Sequence, residues 1–221
     1  SKSKFKMLNN ETSENLNEVG RLLIISAPSG AGKTSLIKTV VESNPNLIVS
    51  ISHTTRKPRI GEKDKSDYFF ISKNEFVLMA KNNEFLEEAL VFDHHYGTST
   101  SFVKTNLALK KNIILEIDWQ GARSIERAGL KNTSIFILPP SLRELERRLK
   151  DRGDDPKIVQ RRMRDAINEI THYGEYDYLI INDDFRVAAD TLTSIIKQPS
   201  YEMEDQSAKL KPLLAELMPK L

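Results

Sequence analysis

Cysteine is absent from the 221-residue chain, and this absence excludes several functional classes. Disulfide scaffolds, thiolate zinc sites, iron–sulfur clusters and cysteine nucleophiles all need that residue. An excess of one charge is also missing, because 33 Lys and Arg residues against 31 Asp and Glu residues leave a net charge of +2. This balance gives no general argument for a nucleic-acid or membrane-surface partner.

Long hydrophobic runs are missing as well. No apolar run approaches the roughly 18–20 residues that a membrane span requires. The Lys- and Asn-rich N-terminus is not followed by an apolar stretch, so it does not have the pattern of a secretory signal. We therefore expect no membrane and no nucleic-acid partner, while the oligomeric state stays open, a homodimer included.

Short apolar runs alternate with helix-length segments along most of the chain. The runs are residues 21–26, 47–51, 112–118, 134–138 and 178–182. Continuous apolar strands that alternate with helices predict an α/β fold whose parallel sheet is covered by helices on both faces. The length suggests one domain with sizeable insertions, and we assign its core to residues 20–52 and 99–199.

The two ends of the chain differ from this core. Residues 1–19 are almost entirely polar and are predicted to form a mobile tail. Residues 200–221 are predicted to be a tail or a helix, with a helical pattern over 209–218.

Residues 53–98 break the alternation of buried strands and helices. Two strand candidates, residues 67–72 and 85–92, mix polar and apolar side chains, and a short helix is predicted between them over 73–82. We interpret this segment as an inserted, mostly antiparallel subdomain.

Arginine is concentrated in residues 143–164, which hold seven of the thirteen arginines of the chain. Ser141 and Glu144 form a capping-box pattern at the start of a predicted helix. Gly153 then breaks the helix, and Pro156 can open the next one. The segment carries nine basic and five acidic residues, a local charge of +4 that suits an anionic substrate.

A phosphate-binding loop follows the first apolar run. Residues 27–34 read APSGAGKT, which is the G-x-x-x-x-G-K-[ST] pattern with Ala27 in place of the first glycine. Backbone N–H groups at Gly30 and Gly32 can surround a phosphate, and the helix that follows adds its N-terminal dipole. Lys33 can reach the β- and γ-phosphates, and the Thr34 hydroxyl can ligate Mg²⁺. The alternative is a glycine-rich turn with a chance lysine, which the strand–loop–helix context disfavours.

A second anion site is predicted after the second apolar run. Arg56 and Arg59 lie three residues apart, with Pro58 between them to stiffen the backbone. Such an arginine fork suits a dianionic phosphate, to which the Tyr68 phenol can also donate. Further along, the Glu87 carboxylate can accept two hydrogen bonds from guanine, a donor pair that adenine does not offer. A hydroxyl such as Ser52 or Thr98 can read the guanine O6.

Together these segments resemble the guanylate kinase family, in its bacterial catalytic form. The quoted segments are, in family order, SAPSGAGKT, SISHTTRKPRIGE with DYFF, NNEFLE, YGTS, LEIDWQGA, PPS with RLKDRG, and YDYLIINDD. The resemblance covers about residues 21–197. It implies a P-loop NTPase core, a GMP-binding subdomain over 53–98 and a helical lid over about 150–164. The implied reaction transfers the γ-phosphate of ATP to GMP, with dGMP as a further acceptor, in cytoplasmic purine nucleotide metabolism.

The resemblance also implies roles for single residues. The implied catalytic residues are Lys33, Arg59, Arg152 and Arg162. The implied ATP-binding residues are Ala27, Pro28, Ser29, Gly30, Ala31, Gly32, Lys33, Thr34, Ser35 and, near the adenine, Asn182. The implied GMP-binding residues are Ser52, Arg56, Arg59, Tyr68, Glu87, Tyr96, Thr98 and Asp118. The implied metal is Mg²⁺, held by Thr34 and, through water, by Asp118, which forms an acidic pair with Glu116.

Some positions depart from the family pattern or allow another interpretation. The family often has glycine where Lys65 stands, so that turn is expected to differ in shape. The lid loop looks one residue short, which makes Arg161 the alternative to Arg162. Asp118 can instead simply cap the helix that starts near Trp119. The pair His94–His95 has no third ligand nearby and is interpreted as a loop feature rather than a metal site.

Two other functions compete with the kinase. One is a related scaffold that binds phosphopeptides in the GMP cleft without catalysis, and such scaffolds usually have a damaged P-loop and no lid arginines. The other is a P-loop kinase for a different small phosphorylated acceptor. Lys33, Thr34 and Arg152 argue against the scaffold, and Glu87 with the arginine fork argues for GMP.

Overall fold

The structure is a computed structural model that describes residues 19–91, 93–198, 200–203 and 206–217. The predicted tail over 1–19 lies almost wholly outside these residues. Within them, no helix is long and apolar enough to cross a membrane.

The described residues form nine strands and eight α-helices. The strands are β1 (Leu22–Ser26), β2 (Leu47–Val49), β3 (His53–Thr54), β4 (Phe69–Phe70), β5 (Phe85–Val91), β6 (His94–Ser99), β7 (Asn112–Glu116), β8 (Thr133–Leu138) and β9 (Tyr178–Ile181). The helices are α1 (Lys33–Glu42), α2 (Lys73–Lys81), α3 (Thr100–Ala108), α4 (Trp119–Arg127), α5 (Leu142–Lys150), α6 (Pro156–Ile170), α7 (Phe185–Lys197) and α8 (Ser207–Leu217).

Five parallel strands form the main sheet, in the order β2-β7-β1-β8-β9. Every residue of the central strand β1 is buried, which explains why that strand is a continuous apolar run rather than an alternating one. Leu23 and Ile25 pack with α1 and α7 on one face of the sheet. Leu22 and Ile24 pack with residues of α3 and α4 on the other face. The predicted α/β fold, with helices on both faces of a parallel sheet, is confirmed.

The inserted segment forms a separate four-stranded sheet in the order β4-β3-β6-β5. Strand β3 pairs parallel with β4 and antiparallel with β6, and β6 pairs antiparallel with β5. The prediction of a strand over 67–72 was wrong in its length, because only Phe69 and Phe70 are in β4. The preceding residues form a turn in which Asp67 accepts a hydrogen bond from the Lys63 N–H at 2.7 Å.

Lys65 occupies the position in this turn where the family often has glycine. Its φ is 61°, a left-handed conformation that glycine adopts at little cost and other residues adopt at some cost. Lys65 thus has a backbone conformation that glycine would adopt at lower cost, and the expected difference in turn shape stays a prediction.

The arginine-rich segment forms α5 and α6, joined by residues 151–155. Pro156 begins α6 at its first position, as predicted. The predicted capping box at α5 is only half formed: Ser141 accepts from the Glu144 N–H at 3.0 Å, whereas the Glu144 carboxylate binds arginines of the same helix. The C-terminal helix α8 packs its buried Leu213 into the cluster that α5 and α6 form.

Candidate active site

The phosphate-binding loop joins β1 to α1 at the carboxyl edge of the main sheet. These are the strand and the helix that the sequence predicts on either side of the loop. Gly30 and Gly32 both have φ of 90°, in the left-handed region. A Cβ on Gly32 would collide with the buried Asn182 amide nitrogen, so a larger residue here would have both an unfavourable φ and a displaced Asn182 side chain. The first N–H groups of α1 have no carbonyl partner within the helix, which leaves them available to an anion.

Ala27 replaces the first glycine of the motif without strain. It is not among the described residues with positive φ, so its conformation does not require glycine. Its side chain packs against the core cluster formed by β1, α1 and α7. The loop therefore accommodates alanine at this position.

Lys33 lies at the first position of α1 and faces the end of β7. Its Nζ is 3.6 Å from the Glu116 carboxylate, and both side chains are partly exposed. Thr34 and Ser35 are exposed at the next two positions. Hydroxyl and carboxylate oxygens around an open position are the ligands that Mg²⁺ prefers, so this donor set fits the predicted metal.

Asp118 follows β7 by two residues and caps α4. Its Oδ1 accepts a hydrogen bond from the Gly121 N–H at 2.9 Å. The alternative interpretation of Asp118 as a helix cap is therefore realised in the structure. The cap uses one carboxylate oxygen and fixes the other at the edge of the sheet that carries the P-loop.

Asn182 follows β9 and is 5% exposed. Its side-chain amide donates to the Ala31 carbonyl at 2.8 Å. The structure thus places the predicted adenine neighbour beneath the P-loop, in direct contact with its backbone.

The two predicted lid arginines occupy different surroundings. Arg152 places its Nη1 at 3.5 Å from the Ser29 hydroxyl of the P-loop. Arg162 forms an ion pair with Asp154 in the loop between α5 and α6. Within the described part of the chain, no hydrogen bond or ion pair joins the side chain of Arg162 or of Arg59 to the P-loop.

Glu87 and Thr98 are direct partners across β5 and β6. The Thr98 hydroxyl donates to Glu87 Oε1 at 2.7 Å, and both residues are buried. The pairing register shifts between Phe85 and Glu87, and such a bulge turns the following side chain in a new direction. Burial raises the pKa of the Glu87 carboxyl above its usual range, the Thr98 hydrogen bond lowers it, and the nearby Asp118 charge raises it further.

Gly121 connects the two halves of the site. A Cβ on this residue would lie 3.3 Å from Glu87 Oε2 and 2.9 Å from the Ile117 Cβ. Strand β5 of the second sheet therefore contacts the first turn of α4, with the Glu87 carboxylate beside it. A helix N-terminus favours negative charge, so this contact suits an ionised Glu87.

Arg56 is already paired within the inserted segment. Its Nη1 and Nη2 donate to the Glu62 carboxylate at 2.9 and 2.8 Å. These hydrogen bonds lower the pKa of Glu62 to about 2. The Arg56 guanidinium also lies 5.2 Å from the ring centroid of Tyr68, which in turn meets the Tyr96 ring edge-on at 6.0 Å.

Arg59 and Ser52 make backbone hydrogen bonds close to Arg56 and Tyr68. The Arg59 N–H donates to Glu62 at 2.8 Å, and the Ser52 carbonyl accepts from the Phe69 N–H at 2.9 Å. The structure thus gathers Arg56, Tyr68 and Tyr96, and it holds the Arg59 backbone on the same carboxylate.

Sequence reasoning missed three charged residues of this region. Glu62 binds Arg56, Arg148 contacts the P-loop, and Glu169 of α6 lies near the charges of Asp118 and Lys33. Burial raises the pKa of Glu169 to about 7, helped by Asp118 and Asp165 and opposed by Lys33. One signal was available for Glu169, because it lies at the border of the apolar face of its helix, next to the buried Ile170.

The His94–His95 pair lies in β6 rather than in a loop. Among the residues that the structure describes, no group of three or more His, Asp or Glu side chains could hold a metal ion by itself. Any Mg²⁺ site here would combine few protein ligands with substrate oxygens and water.

Comparisons with known proteins agree with this geometry. A family model described as guanylate kinase matches residues 19–199. The chain is 50% identical over 200 residues to a guanylate kinase of Pseudomonas fluorescens (strain Pf0-1), covering 90% of this chain and 97% of the relative. It is 48% identical over 200 residues to a guanylate kinase of Methylococcus capsulatus, covering 90% of this chain and 98% of the relative.

A solved structure adds to these sequence relatives. The crystal structure of guanylate kinase from Anaplasma phagocytophilum matches with a TM-score of 0.67 and 33% identity, over 92% of this chain and 97% of that one. The reported relatives and this solved structure are all named guanylate kinase. The chain belongs to the guanylate kinase family.

Proposed function

We propose that this chain transfers the γ-phosphate of ATP to GMP, giving ADP and GDP, in the cytoplasm and with Mg²⁺. The observation that carries the proposal is the pairing of a formed P-loop with a buried Glu87–Thr98 couple, joined through the N-terminus of α4. The first feature holds a triphosphate, and the second reads the base of the acceptor.

The P-loop side supports ATP binding. The Gly30 and Gly32 N–H groups and those of the first turn of α1 would donate to the phosphates, and Lys33 adds a positive charge. Glu116 holds the Lys33 ammonium at 3.6 Å, close enough to orient it without a tight pair. Thr34, with Asp118 through water, would hold Mg²⁺, which when bound neutralises charge on the β- and γ-phosphate oxygens.

The acceptor side supports GMP. The Glu87 carboxylate would accept from guanine N1–H and N2–H₂, while Thr98 and Ser52 hydroxyls would bind O6. Arg56, Arg59, Tyr68 and Tyr96 would bind the GMP phosphate. Because Glu62 already holds Arg56 through two hydrogen bonds, that guanidinium is oriented before GMP arrives.

The chemistry needs alignment and charge neutralisation rather than a general base. A GMP phosphate oxygen is already ionised at neutral pH and can attack the γ-phosphorus in line. Charge on the transferred group would be stabilised by Lys33, Arg59, Arg152 and Arg162. Since no hydrogen bond or ion pair joins the Arg59 or Arg162 side chain to the P-loop within the described residues, these side chains would reach it as the subdomain and lid close over the substrates.

A steady-state assay of ADP release tests the proposal. The purified chain is supplied with ATP, Mg²⁺ and, in turn, GMP, dGMP, AMP, UMP or CMP. We expect GMP to give the highest kcat/KM, at least about 100-fold above AMP, because a site that pairs with donors rejects a base without them. Equal turnover with AMP would contradict the proposal, and absence of turnover would favour the phosphopeptide-binding scaffold.

A pair of lysine variants on α1 checks that this turnover uses the P-loop. We expect Lys33→Ala to lower kcat at least about 100-fold, because it removes a charge at the transferred phosphate. The control is Lys38→Ala, an exposed lysine one and a half turns along the same helix. A loss of equal size in both variants would point to a general effect on the helix.

A further inference from the structure

We propose that Arg148 is a positioning residue of the P-loop, which orients the Ala31–Gly32 peptide toward the nucleotide phosphates. The inference rests on the proposed function of the loop and concerns a residue outside the predicted site. It starts from three hydrogen bonds that the Arg148 guanidinium makes to three different parts of the fold.

Each of the three nitrogens of this guanidinium donates one hydrogen bond. Nη2 donates to the Asn182 carbonyl at 3.1 Å, and Nη1 donates to the Ala31 carbonyl at 3.4 Å. Nε donates to the Glu144 carboxylate at 2.9 Å, one turn earlier on α5. A planar guanidinium has the rigid fork that can satisfy several acceptors at once, which a lysine ammonium on a flexible stem cannot reproduce.

The Ala31 carbonyl receives two donors, the Arg148 guanidinium and the Asn182 amide at 2.8 Å. The peptide unit is planar and trans, so its C=O and the following N–H point in opposite directions. Fixing the Ala31 oxygen on the Asn182 side therefore directs the Gly32 N–H to the opposite side of the loop. In a P-loop that side is the concave one, where successive N–H groups meet a phosphate.

The connection after this helix contacts the beginning of the loop. Arg152 lies two residues past the end of α5, and its guanidinium is 3.5 Å from the Ser29 hydroxyl. Helix α5 and the residues that follow it thus contact the P-loop at Ala31 and at Ser29. A shift of this helix, which leads into the predicted lid, would change the direction of the Gly32 N–H.

Arg147 provides a matched control. It is adjacent on α5 and binds the same Glu144 carboxylate, together with Asp151. Its side chain is 59% exposed, against 23% for Arg148, and its ion-pair partners Glu144 and Asp151 lie in α5 and at its end. Loss of Arg147 removes the same charge from the same helix and leaves the contact to Ala31 intact.

The test compares Arg148→Met, Arg148→Lys and Arg147→Met in the full chain. Isothermal titration without GMP measures binding of ATP and of inorganic tripolyphosphate, each with Mg²⁺, and steady-state kinetics measure both KM values. We expect Arg148→Met to weaken both ligands about tenfold and to raise the KM for ATP by the same factor, with the KM for GMP changed less than twofold. Arg148→Lys should recover part of the affinity, and Arg147→Met should bind both ligands within twofold of the parent chain.

Tripolyphosphate has no base, so it separates the loop from the adenine. Weaker ATP binding with unchanged tripolyphosphate binding would place Arg148 at the adenine and overturn the proposal. Unchanged binding of both ligands with a lower melting temperature would assign Arg148 a purely structural role and also overturn it. Should Arg148→Met fail to fold, the charge-preserving Arg148→Lys supplies the same comparison. Because ligand binding is measured without GMP, a chain that does not phosphorylate GMP still gives a result.

Discussion

The Thr98 hydroxyl donates to the Glu87 carboxylate at 2.7 Å, across two antiparallel strands and in a buried environment. This hydrogen bond holds one carboxylate oxygen and fixes the direction in which the second oxygen faces. Glutamine in place of Glu87 can still accept from Thr98, but it must present an NH₂ group where guanine also presents donors. We therefore expect Glu87→Gln to raise the KM for GMP roughly 10- to 100-fold and to leave the KM for ATP within twofold.

The neighbouring Glu88→Gln is the control, since Glu88 is exposed on the same strand. The pH profile gives a second measurement. Because burial raises the pKa of Glu87, the carboxylate that guanine needs is lost at a higher pH than for an ordinary glutamate. The KM for GMP should rise toward acid pH in the parent chain and stay flatter in Glu87→Gln. A steep profile in both would assign the titration to another group.

Asp118 has two separable roles, as the cap of α4 and as an acidic residue of the site. Asparagine caps a helix about as well as aspartate, whereas alanine loses about 1 kcal/mol of stability. We expect Asp118→Asn to melt within about 2 °C of the parent chain, and Asp118→Ala to melt about 2–4 °C lower. If the charge serves the reaction, kcat falls in both variants. Full activity in Asp118→Asn would leave the cap as its sole role.

Lys65 carries strain that glycine would relieve. A left-handed conformation costs a non-glycine residue about 1–2 kcal/mol, and glycine loses about 0.5–1 kcal/mol through its greater freedom in the unfolded chain. Lys65→Gly should therefore raise the free energy of unfolding by about 0.5–1 kcal/mol, as measured by urea denaturation. Lys63→Gly, two residues earlier and without a positive φ, should lower it. Destabilisation by both substitutions would show that the turn does not store strain.

Glu169 should make stability depend on pH. Its pKa is raised from 4.5 to about 7, so the folded chain favours the protonated form. Its contribution is complete below pH 4.5 and is lost as the pH rises to about 7, because the folded state must then hold an unfavourable charge. The side chain of Glu169→Gln stays neutral at every pH. The difference between its melting temperature and that of the parent chain should therefore increase from pH 4.5 to about 7 and stay constant above that pH.

The size of that gain is set by exposure to water. Glu169 is partly exposed, so solvent screens its charge, and we expect about 1 kcal/mol, or about 2–4 °C, at pH 8. The melting curves are taken without nucleotide, since substrates would change the charges near Lys33. Glu126→Gln replaces an exposed glutamate on α4 and serves as the control. A constant difference between Glu169→Gln and the parent from pH 4 to pH 8 would contradict the assignment.

The P-loop could be predicted from the sequence because its cause is local. An apolar run, two glycines and a lysine before a helical pattern specify strand, turn and helix within about 20 residues. The same holds for Pro156, which begins α6 at the predicted residue. Strand β4 was predicted too long because Asp64 and Asp67 hydrogen-bond to backbone N–H groups and turn the chain before Phe69.

Contacts between distant segments could not be predicted in this way. Asn182 reaches Ala31 from 151 positions away, and Glu87 meets Gly121 only because strand β5 of the second sheet packs against helix α4. The Arg56–Glu62 pair is closer in sequence, yet it depends on how the chain turns at Gly61. The hydrophobic periodicity of the sequence carries no information on contacts between residues that are far apart in the chain. The variants above therefore test the predicted roles of single residues.

The two sheets differ in what holds them together, and this difference bears on local stability. Every residue of β1 is buried between β7 and β8, whereas β3 and β4 have two residues each. The buried residues of the second sheet are largely polar: Thr54, Glu87, Thr98 and Ser99. Amide hydrogens of β1 should therefore exchange with solvent only on global unfolding, and those of β3 and β4 through low-energy local opening. The phosphate donor would bind to the slowest-exchanging layer of the molecule, and the acceptor to the layer that opens first.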